Sequence, residues 1–134
     1  MFSVIVLSSD AAARAKVERH AQSAGARIHC ARSSSEAARC ARQERNCLMF
    51  ADIENDLEAS VATLSAVRMS PDVDAIVVAL NTPATKRPWR FLNAGFDWVI
   101  WTTSSPDDFA ALFRAARANL TDGAPKTPSA RLNG

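Results

Sequence analysis

The sequence predicts a single α/β domain built on a five-stranded parallel sheet. Five short apolar runs alternate with segments of helical periodicity, which is the pattern of βαβ units. Capping residues and glycines lie at the boundaries between these segments. The chain has 134 residues, of which 48% are hydrophobic, and this is enough for one domain with a packed core.

Two strand–helix pairs are predicted in the first third of the chain. The strands are 2–7 and the weaker Arg27–Ala31, and the helices follow residue 10 and cover about Ser34–Glu44. Residues 8–10 (Ser-Ser-Asp) offer N-cap side chains for the first helix, and Gly25 suits the position after its C-cap. Ser33 and Glu36 form a capping box for the second helix.

Three further strands are predicted at 47–51, 75–80 and Trp98–Trp101. The run at 75–80 is continuous and β-branched, as central parallel strands tend to be. A helix over 57–69 separates the first two of these strands, and its spacing predicts a core-facing stripe of Leu57, Val61, Leu64 and Val67.

The last two helices are predicted from start and stop signals. A short fourth helix surrounds Trp89, Phe91 and Leu92 and ends at Gly95. Residues 105–108 (Ser-Pro-Asp-Asp) form a strong helix start, and the stripe of that last helix is Phe109, Leu112, Phe113 and Ala116. Residues 1–120 are therefore predicted to form the domain and 121–134 a flexible tail or linker.

Charge and cysteine usage exclude several classes of function. The formal net charge is +2, from 16 basic and 14 acidic residues, so charge alone does not predict direct nucleic-acid binding. No basic leader and no apolar run of about 20 residues is present, so we expect a cytoplasmic protein that does not bind membranes. Cys30, Cys40 and Cys47 are expected as buried free thiols, and the histidines His20 and His29 supply no metal-ligand spacing.

Five strands alternating with five helices fit a flavodoxin-like, doubly wound sheet with strand order 2-1-3-4-5 and helices on both faces. Sites in such sheets lie at the carboxyl ends of the strands. Those ends here are Ser8 to Asp10, Arg32, Asp52 to Asn55, Leu80 to Thr82, and Thr102-Thr103. No Gly-rich turn for a flavin phosphate and no GxSxG motif is present, so the sequence does not predict an enzyme.

The chain resembles the receiver domain of bacterial response regulators over about residues 2–120. Three features carry the resemblance: the element order, Asp52 after the third strand within Phe-Ala-Asp-Ile-Glu, and Asn-Ala-Gly-Phe-Asp at 93–97. The last segment is similar to the family's Glu-Ala-Gly-Ala-Asp. The resemblance implies a signalling role in a two-component system or phosphorelay, with Asp52 as the candidate phospho-acceptor.

The resemblance also implies four further site groups, and this sequence departs from all of them. The acidic pair of a working receiver, which holds Mg²⁺, falls on Ser8 and Ser9, with Asp10 one place later. The hydroxyl position after the fourth strand falls on Leu80, or on Ala79 if the register slips. The lysine position after the fifth strand falls on Thr102. The expected module is therefore a degenerate, or pseudo-receiver, domain.

These departures leave two hypotheses about phosphorylation. In the first, Mg²⁺ binds weakly or not at all through Asp10 and Asp52, the usual aspartyl mechanism is lost, and Asp52 caps Asn55 and the loop backbone. In the second, Asp10 and Glu54 rebuild the metal site and Asp52 is an active acceptor. Without phosphorylation, the domain would act on a regulatory protein partner or a downstream output domain.

An aromatic and basic surface is the candidate interface. Receivers commonly signal through the face formed by the fourth helix, the fifth strand and the last helix. Candidates on this face are Arg87, Trp89, Arg90, Phe91, Trp98 and Trp101, although core packing is an alternative for both tryptophans of the strand. The face would also permit a homodimer. A third hypothesis is a nucleotide sensor, in which Lys86 to Arg90 (KRPWR) contacts a cyclic dinucleotide through arginine and stacking.

Overall fold

The computed structural model describes residues 2–82 and 95–121 of the chain. The elements are β1 (Ser3–Leu7), α1 (Ala11–Ser23), β2 (Arg27–Ala31), α2 (Ser34–Glu44), β3 (Asn46–Asp52), α3 (Leu57–Arg68), β4 (Asp74–Asn81), β5 (Trp98–Trp101) and α4 (Pro106–Thr121). All strand pairs are parallel and the order is β2-β1-β3-β4-β5, so the predicted fold class is confirmed. The predicted fourth helix around Trp89 lies outside the described residues. Of the tail predicted at 121–134, only Thr121 is described, and it is the last residue of α4.

The core consists of two layers, one on each face of the sheet. Alternate residues of the central strands point to opposite faces: in β3, Leu48 and Phe50 pack toward α1 and α4, while Met49 and Ala51 pack toward α2 and α3. All four are fully buried. Within the described ranges, no helix is long and apolar enough to cross a membrane.

The end of α1 confirms the role predicted for Gly25. Its φ is 73°, a left-handed conformation that glycine adopts without a steric penalty. The Gly25 amide donates to the Gln22 carbonyl at 3.0 Å, and the Ala26 amide donates to the Ala21 carbonyl at 3.1 Å. These two bonds form a Schellman motif, and they turn the chain directly into β2.

The start of α4 is a reciprocal capping box. The Asp108 amide donates to Ser105 Oγ at 3.1 Å, and the Ser105 amide donates to Asp108 Oδ2 at 3.3 Å. Pro106 occupies the first helical position, where its missing N–H costs no hydrogen bond. The helix start predicted at 105–108 is therefore confirmed.

The orientation of α3 differs from the prediction. Leu57 and Val61 are each 44% exposed, and the buried residues are Ser60, Thr63, Leu64 and Val67. Two hydrogen bonds make the buried hydroxyls tolerable: Ser60 Oγ donates to the Asp52 carbonyl at 3.2 Å, and Thr63 Oγ1 donates to a carbonyl one turn earlier at 2.7 Å. Small polar residues thus face the sheet where apolar spacing predicted Leu57 and Val61.

A cluster around Asp97 fixes the start of β5 against β4. Asp97 Oδ2 accepts hydrogen bonds from the Val77 amide at 2.8 Å and from Arg68 Nη2 at 2.6 Å. The Asp97 amide donates back to the Val77 carbonyl at 2.8 Å, and Arg68 Nη1 donates to the Ala75 carbonyl at 3.0 Å. The aspartate of the Asn-Ala-Gly-Phe-Asp segment therefore has a structural role.

The three cysteines do not share one environment. None of the three forms a disulfide; Cys47 is buried, Cys40 is half-buried and Cys30 is exposed. The expectation of a buried Cys30 is wrong because β2 is the edge strand and its outer positions are only partly covered. Partial enclosure of the thiol and its 2.8 Å hydrogen bond to Glu18 Oε1 raise the pKa of Cys30 to about 11.

Replacing Asp97 by alanine should destabilise the domain by about 2–3 kcal/mol, because a buried amide and the Arg68 guanidinium each lose an acceptor. Urea denaturation at pH 7 measures this free energy of unfolding. Asp72→Ala, in an exposed turn, is the control and should change it by less than about 0.5 kcal/mol. Equal effects of the two substitutions would contradict the role assigned to Asp97.

The raised pKa of Cys30 predicts slow alkylation, because the thiolate is the nucleophile. At pH 8 we expect iodoacetamide to modify Cys30 about tenfold more slowly than an ordinary exposed thiol, with the rate rising as the pH approaches 11. Glu18→Gln removes the negative charge beside the thiol and should speed the reaction, whereas Glu58→Gln on α3 should not. Peptide mapping follows each cysteine separately, and fast modification of the wild-type Cys30 would contradict the prediction.

Candidate functional site

The carboxyl ends of the strands bring together the side chains that the sequence placed there. Leu7 pairs with Ala51 in the β1–β3 register, and Asp52 pairs with Leu80 in the β3–β4 register. Ser8, which follows β1, therefore lies next to Asp52, the last residue of β3. Both side chains are buried, at 3% and 2% exposure.

The Asp52 carboxylate accepts four hydrogen bonds. Oδ1 accepts from the backbone amides of Glu54 and Asn55, each at 3.0 Å. Oδ2 accepts from Ser8 Oγ at 2.6 Å and from Asn55 Nδ2 at 2.9 Å. Three of these bonds match the interpretation of Asp52 as a cap for Asn55 and the loop backbone, while the bond from Ser8 joins β1 to β3.

The other two residues of the 8–10 turn do not reach Asp52. Asp10 is the N-cap of α1, and its Oδ1 accepts from the Ala12 amide at 3.2 Å. The amide and hydroxyl of Ser9 donate to Asp56 Oδ2, at 2.7 and 3.1 Å. Asp10 is thus engaged as a helix cap, and Asp56 is a partner of this turn that the sequence analysis missed.

Asp56 and Arg14 are two charged neighbours of the site with only weak sequence signals. Asp56 stands at the N-cap position of α3 without a side-chain capping bond, and its carboxylate binds Ser9 instead. Arg14 lies one turn into α1, and its Nη1 donates to the Ser8 carbonyl at 2.9 Å. A capping residue before Leu57 was the only signal for Asp56, and nothing in the sequence pattern singled out Arg14.

The site residues do not fit a magnesium centre of the kind that a receiver uses. Mg²⁺ takes hard oxygen ligands in octahedral geometry, but the positions after β1 carry the hydroxyls of Ser8 and Ser9. The Asp52 oxygens already accept four hydrogen bonds. In the described part of the chain, no three His, Cys, Asp or Glu side chains are grouped as metal ligands.

The end of β4 carries Leu80 and Asn81, and Thr102 follows β5. Leu80 is buried in the core under α1 and α4. The next residue, Asn81, is fully buried, and its side-chain amide has no hydrogen-bond partner in the structure. Thr102 is half-buried, and its amide donates to the Asn81 carbonyl at 2.7 Å. Asn81 is therefore a buried polar residue at this edge that the register argument passed over.

The structure describes two of the six residues predicted for the interface, Trp98 and Trp101. Trp98 is buried, with 8% exposure, in the same layer as α1 and α4, as the core interpretation of this residue expects. Trp101 is half-buried at the end of β5. The remaining candidates lie outside the described residues, namely Arg87, Trp89, Arg90 and Phe91. The cyclic-dinucleotide hypothesis, which depends on residues 86–90, keeps only its basis in the sequence.

Comparison with solved structures identifies the fold. The chemotaxis response regulator CheY4 of Vibrio cholerae superposes with a TM-score of 0.71 at 18% identity, covering 87% of this chain and 98% of that one. A receiver domain of a Pseudomonas aeruginosa sensor histidine kinase, with magnesium coordinated in its active-site cleft, gives 0.66 at 16% identity, covering 85% and 96%.

A third structure is the receiver domain of Ssk1 from Saccharomyces cerevisiae, in complex with the histidine phosphotransfer protein Ypd1. It gives a TM-score of 0.74 at 11% identity, covering 91% of this chain and 93% of that one. No protein-family model and no curated protein sequence matches the chain. At these identities, the similarity shows that the chain has the fold of receiver domains.

Removing the Ser8 hydroxyl should destabilise the domain, because it leaves a buried carboxylate oxygen with one donor fewer. We expect Ser8→Ala to lower the free energy of unfolding by about 1–2 kcal/mol, measured by urea denaturation. Ser9→Ala is the matched control, since that hydroxyl is exposed and its bond to Asp56 is at the surface, and should cost less than about 0.5 kcal/mol. An unchanged Ser8→Ala protein would contradict the geometry of the site.

Proposed function

We propose that the chain is a pseudo-receiver: a signalling domain of receiver type that acts through protein–protein contacts and does not use Mg²⁺-dependent aspartyl phosphorylation. The observation that carries this proposal is the hydrogen bond from Ser8 Oγ to Asp52 Oδ2, at 2.6 Å. A hydroxyl donor stands where the resemblance implies a metal-binding acid, and it binds the oxygen that would attack phosphorus or hold the metal.

The hydrogen bonds of Asp52 oppose its use as a nucleophile. For either oxygen to attack a phosphoryl donor, a lone pair now used by a donor must be freed. Hydrogen bonds to charged groups contribute about 1.5–3 kcal/mol each, so freeing one slows the attack by about tenfold or more. At 2% exposure, Asp52 also presents little surface to a donor molecule.

Charge compensation around the site supports the same proposal. A phosphoryl group on Asp52 would carry up to two negative charges, which a working receiver offsets with a metal ion and a lysine. Here Ser8, Ser9 and Thr102 are neutral. We therefore infer that Mg²⁺ binds weakly or not at all, and that an aspartyl phosphate would be poorly stabilised.

One observation favours the alternative of an active phospho-acceptor. Arg14 reaches the Ser8 carbonyl at 2.9 Å, so a guanidinium lies beside the turn that approaches Asp52. Arginine is a good partner for phosphate oxygens. In this alternative, Arg14 would offset part of the charge of the phosphoryl group, and Asp10 and Glu54 would rebuild the metal site.

The biological setting belongs to the same proposal. We infer a cytoplasmic, bacterial protein in a two-component pathway, without enzymatic activity, that contacts a regulatory protein or a downstream output domain. The complex of the Ssk1 receiver domain with a phosphotransfer protein supports a protein partner as the class of ligand. The face that includes Trp101 remains the candidate contact and would also permit a homodimer.

Intact-mass spectrometry after incubation with acetyl phosphate and Mg²⁺ tests the proposal. We expect no phosphoryl addition to the wild-type chain, because the Asp52 oxygens are occupied by hydrogen-bond donors and the positions of the acidic pair carry the neutral Ser8 and Ser9. The triple variant Ser8→Asp/Ser9→Asp/Thr102→Lys restores the missing groups and should gain at least a partial addition. Circular dichroism checks that each protein is folded.

Asp52→Asn is the control for the site of addition. A phosphoryl group on the wild-type chain that is absent from Asp52→Asn would overturn the pseudo-receiver proposal in favour of the active acceptor. In that case Arg14→Ala should lower the extent of phosphorylation, since it removes a cation that contacts the turn. Arg39→Ala on α2 is the matched control and should leave it unchanged.

A further inference from the structure

A groove between α1 and α4 lies away from the Asp52 site. It has a volume of about 440 Å³, within the range of small-molecule sites, about 300–1,000 Å³. We call it the α1–α4 groove, and the residues that carry the argument are His20 and Ala24 from α1 and its C-cap, and Ala110, Phe113, Arg114 and Arg117 from α4. All of them belong to the described part of the chain.

Positive charge is concentrated at one end of the groove. Arg114 and Arg117 are one turn apart on α4, so their side chains lie on the same face. The carboxylate that lines the groove, Asp107, is in the first turn of α4, about 10 Å along the helix axis from Arg114. Arg114 therefore lies toward one end of the groove and Asp107 toward the other.

The two arginine side chains differ in how firmly neighbouring groups hold them. Arg117 is held in place: its guanidinium lies 5.1 Å from the Phe2 ring centroid, and its Nη2 donates to the Ala24 carbonyl. Arg114 is exposed on the same face. A fixed cation beside an adjustable one suits a forked contact with a phosphate or carboxylate.

The imidazole ring of His20 and apolar side chains line the rest of the groove. The His20 ring stacks on Phe109, with 4.3 Å between centroids and 8° between planes, which holds the imidazole in one orientation. Burial, followed by the charges of Lys16 and Arg19, lowers the pKa of His20, which favours the neutral form of the ring. Ala110 is exposed beside it, and the buried Phe113 reaches the groove only with the edge of its side chain. His20 and Ala110 thus offer the surface for a planar ring.

We propose that the α1–α4 groove binds a small aromatic anion, a flat ring system that carries a phosphate or carboxylate group. The ring lies against His20 and Ala110, and the anionic group contacts Arg114, with Arg117 beside it. This site goes beyond the proposed function, since it shares no residue with the Asp52 site. A ligand here would bridge the first and last helices, and it would stabilise the folded domain by mass action.

Isothermal titration calorimetry on the full chain tests the proposal with four probes. Adenosine monophosphate combines a ring with a phosphate, and indole-3-carboxylate combines a ring with a carboxylate. Adenosine and inorganic phosphate each supply one half of the proposed ligand. We expect at least one of the two aromatic anions to bind at least tenfold more tightly than both half-ligands, and the tighter of the two shows which combination of ring and anionic group the groove prefers.

Substitutions assign the binding to the groove. Arg114→Glu reverses an exposed charge and should weaken the binding of the aromatic anion at least tenfold. Arg42→Glu, exposed on α2 on the other face of the sheet, is the matched control and should leave it unchanged. The proposal is overturned if neither aromatic anion binds, if inorganic phosphate or adenosine binds as tightly, or if Arg114→Glu and Arg42→Glu behave alike.

Discussion

The buried carboxylate of Asp52 lies where β1, β3 and the loop before α3 meet, and it imposes a condition on all three. A charged group removed from water must be surrounded by donors, or it costs several kcal/mol. The donors come from Ser8 after β1 and from the backbone and side chain of the loop at 54–55. The loop conformation, and with it the start of α3, follows from satisfying this one carboxylate.

The same network determines how closely Ser8 and Asp52 can approach each other. In a metal-binding site, carboxylates repel one another unless a cation lies between them. With hydroxyls after β1, that repulsion is absent, and Ser8 binds Asp52 directly. This hydrogen bond joins the ends of β1 and β3, and Arg14 adds a positive charge at the edge of the turn.

Local chemistry made most of the fold predictable. Continuous apolar runs located the five strands, and the chemistry of Gly25 and of Ser105 with Asp108 located helix ends, because each of these signals acts within a few residues. The errors arose where long-range packing decides. The apolar spacing of α3 placed Val61 inward, but Ser60 faces the sheet because it binds the Asp52 carbonyl. Cys30 is exposed because strand order places β2 at an edge, which its own apolar run does not reveal.

The sequence predicted which residues lie at the site better than it predicted the hydrogen bonds between them. The ends of parallel strands must converge, so Ser8, Asp52 and Leu80 could be placed together from the sequence. Contacts between Asp56 and Ser9, or between Arg14 and the Ser8 carbonyl, depend on loop geometry over separations that periodicity does not encode. Asn81 lies within the strand end predicted at 80–82, but the burial of its side chain depends on packing that the apolar run does not reveal.

Phe2 contacts residues near the other end of the described chain. Its ring packs 6.3 Å from that of Phe113, and Arg117 covers it. The beginning of the sheet and the final turns of α4 are thus spatial neighbours, although they are the most distant parts of the described sequence. The start of β1 and the end of α4 therefore lie close together in space. The two core layers depend on which elements are adjacent in space. A circularly permuted chain, in which the end of α4 is linked to Phe2 and the chain begins at another surface turn, would therefore enclose the same two layers.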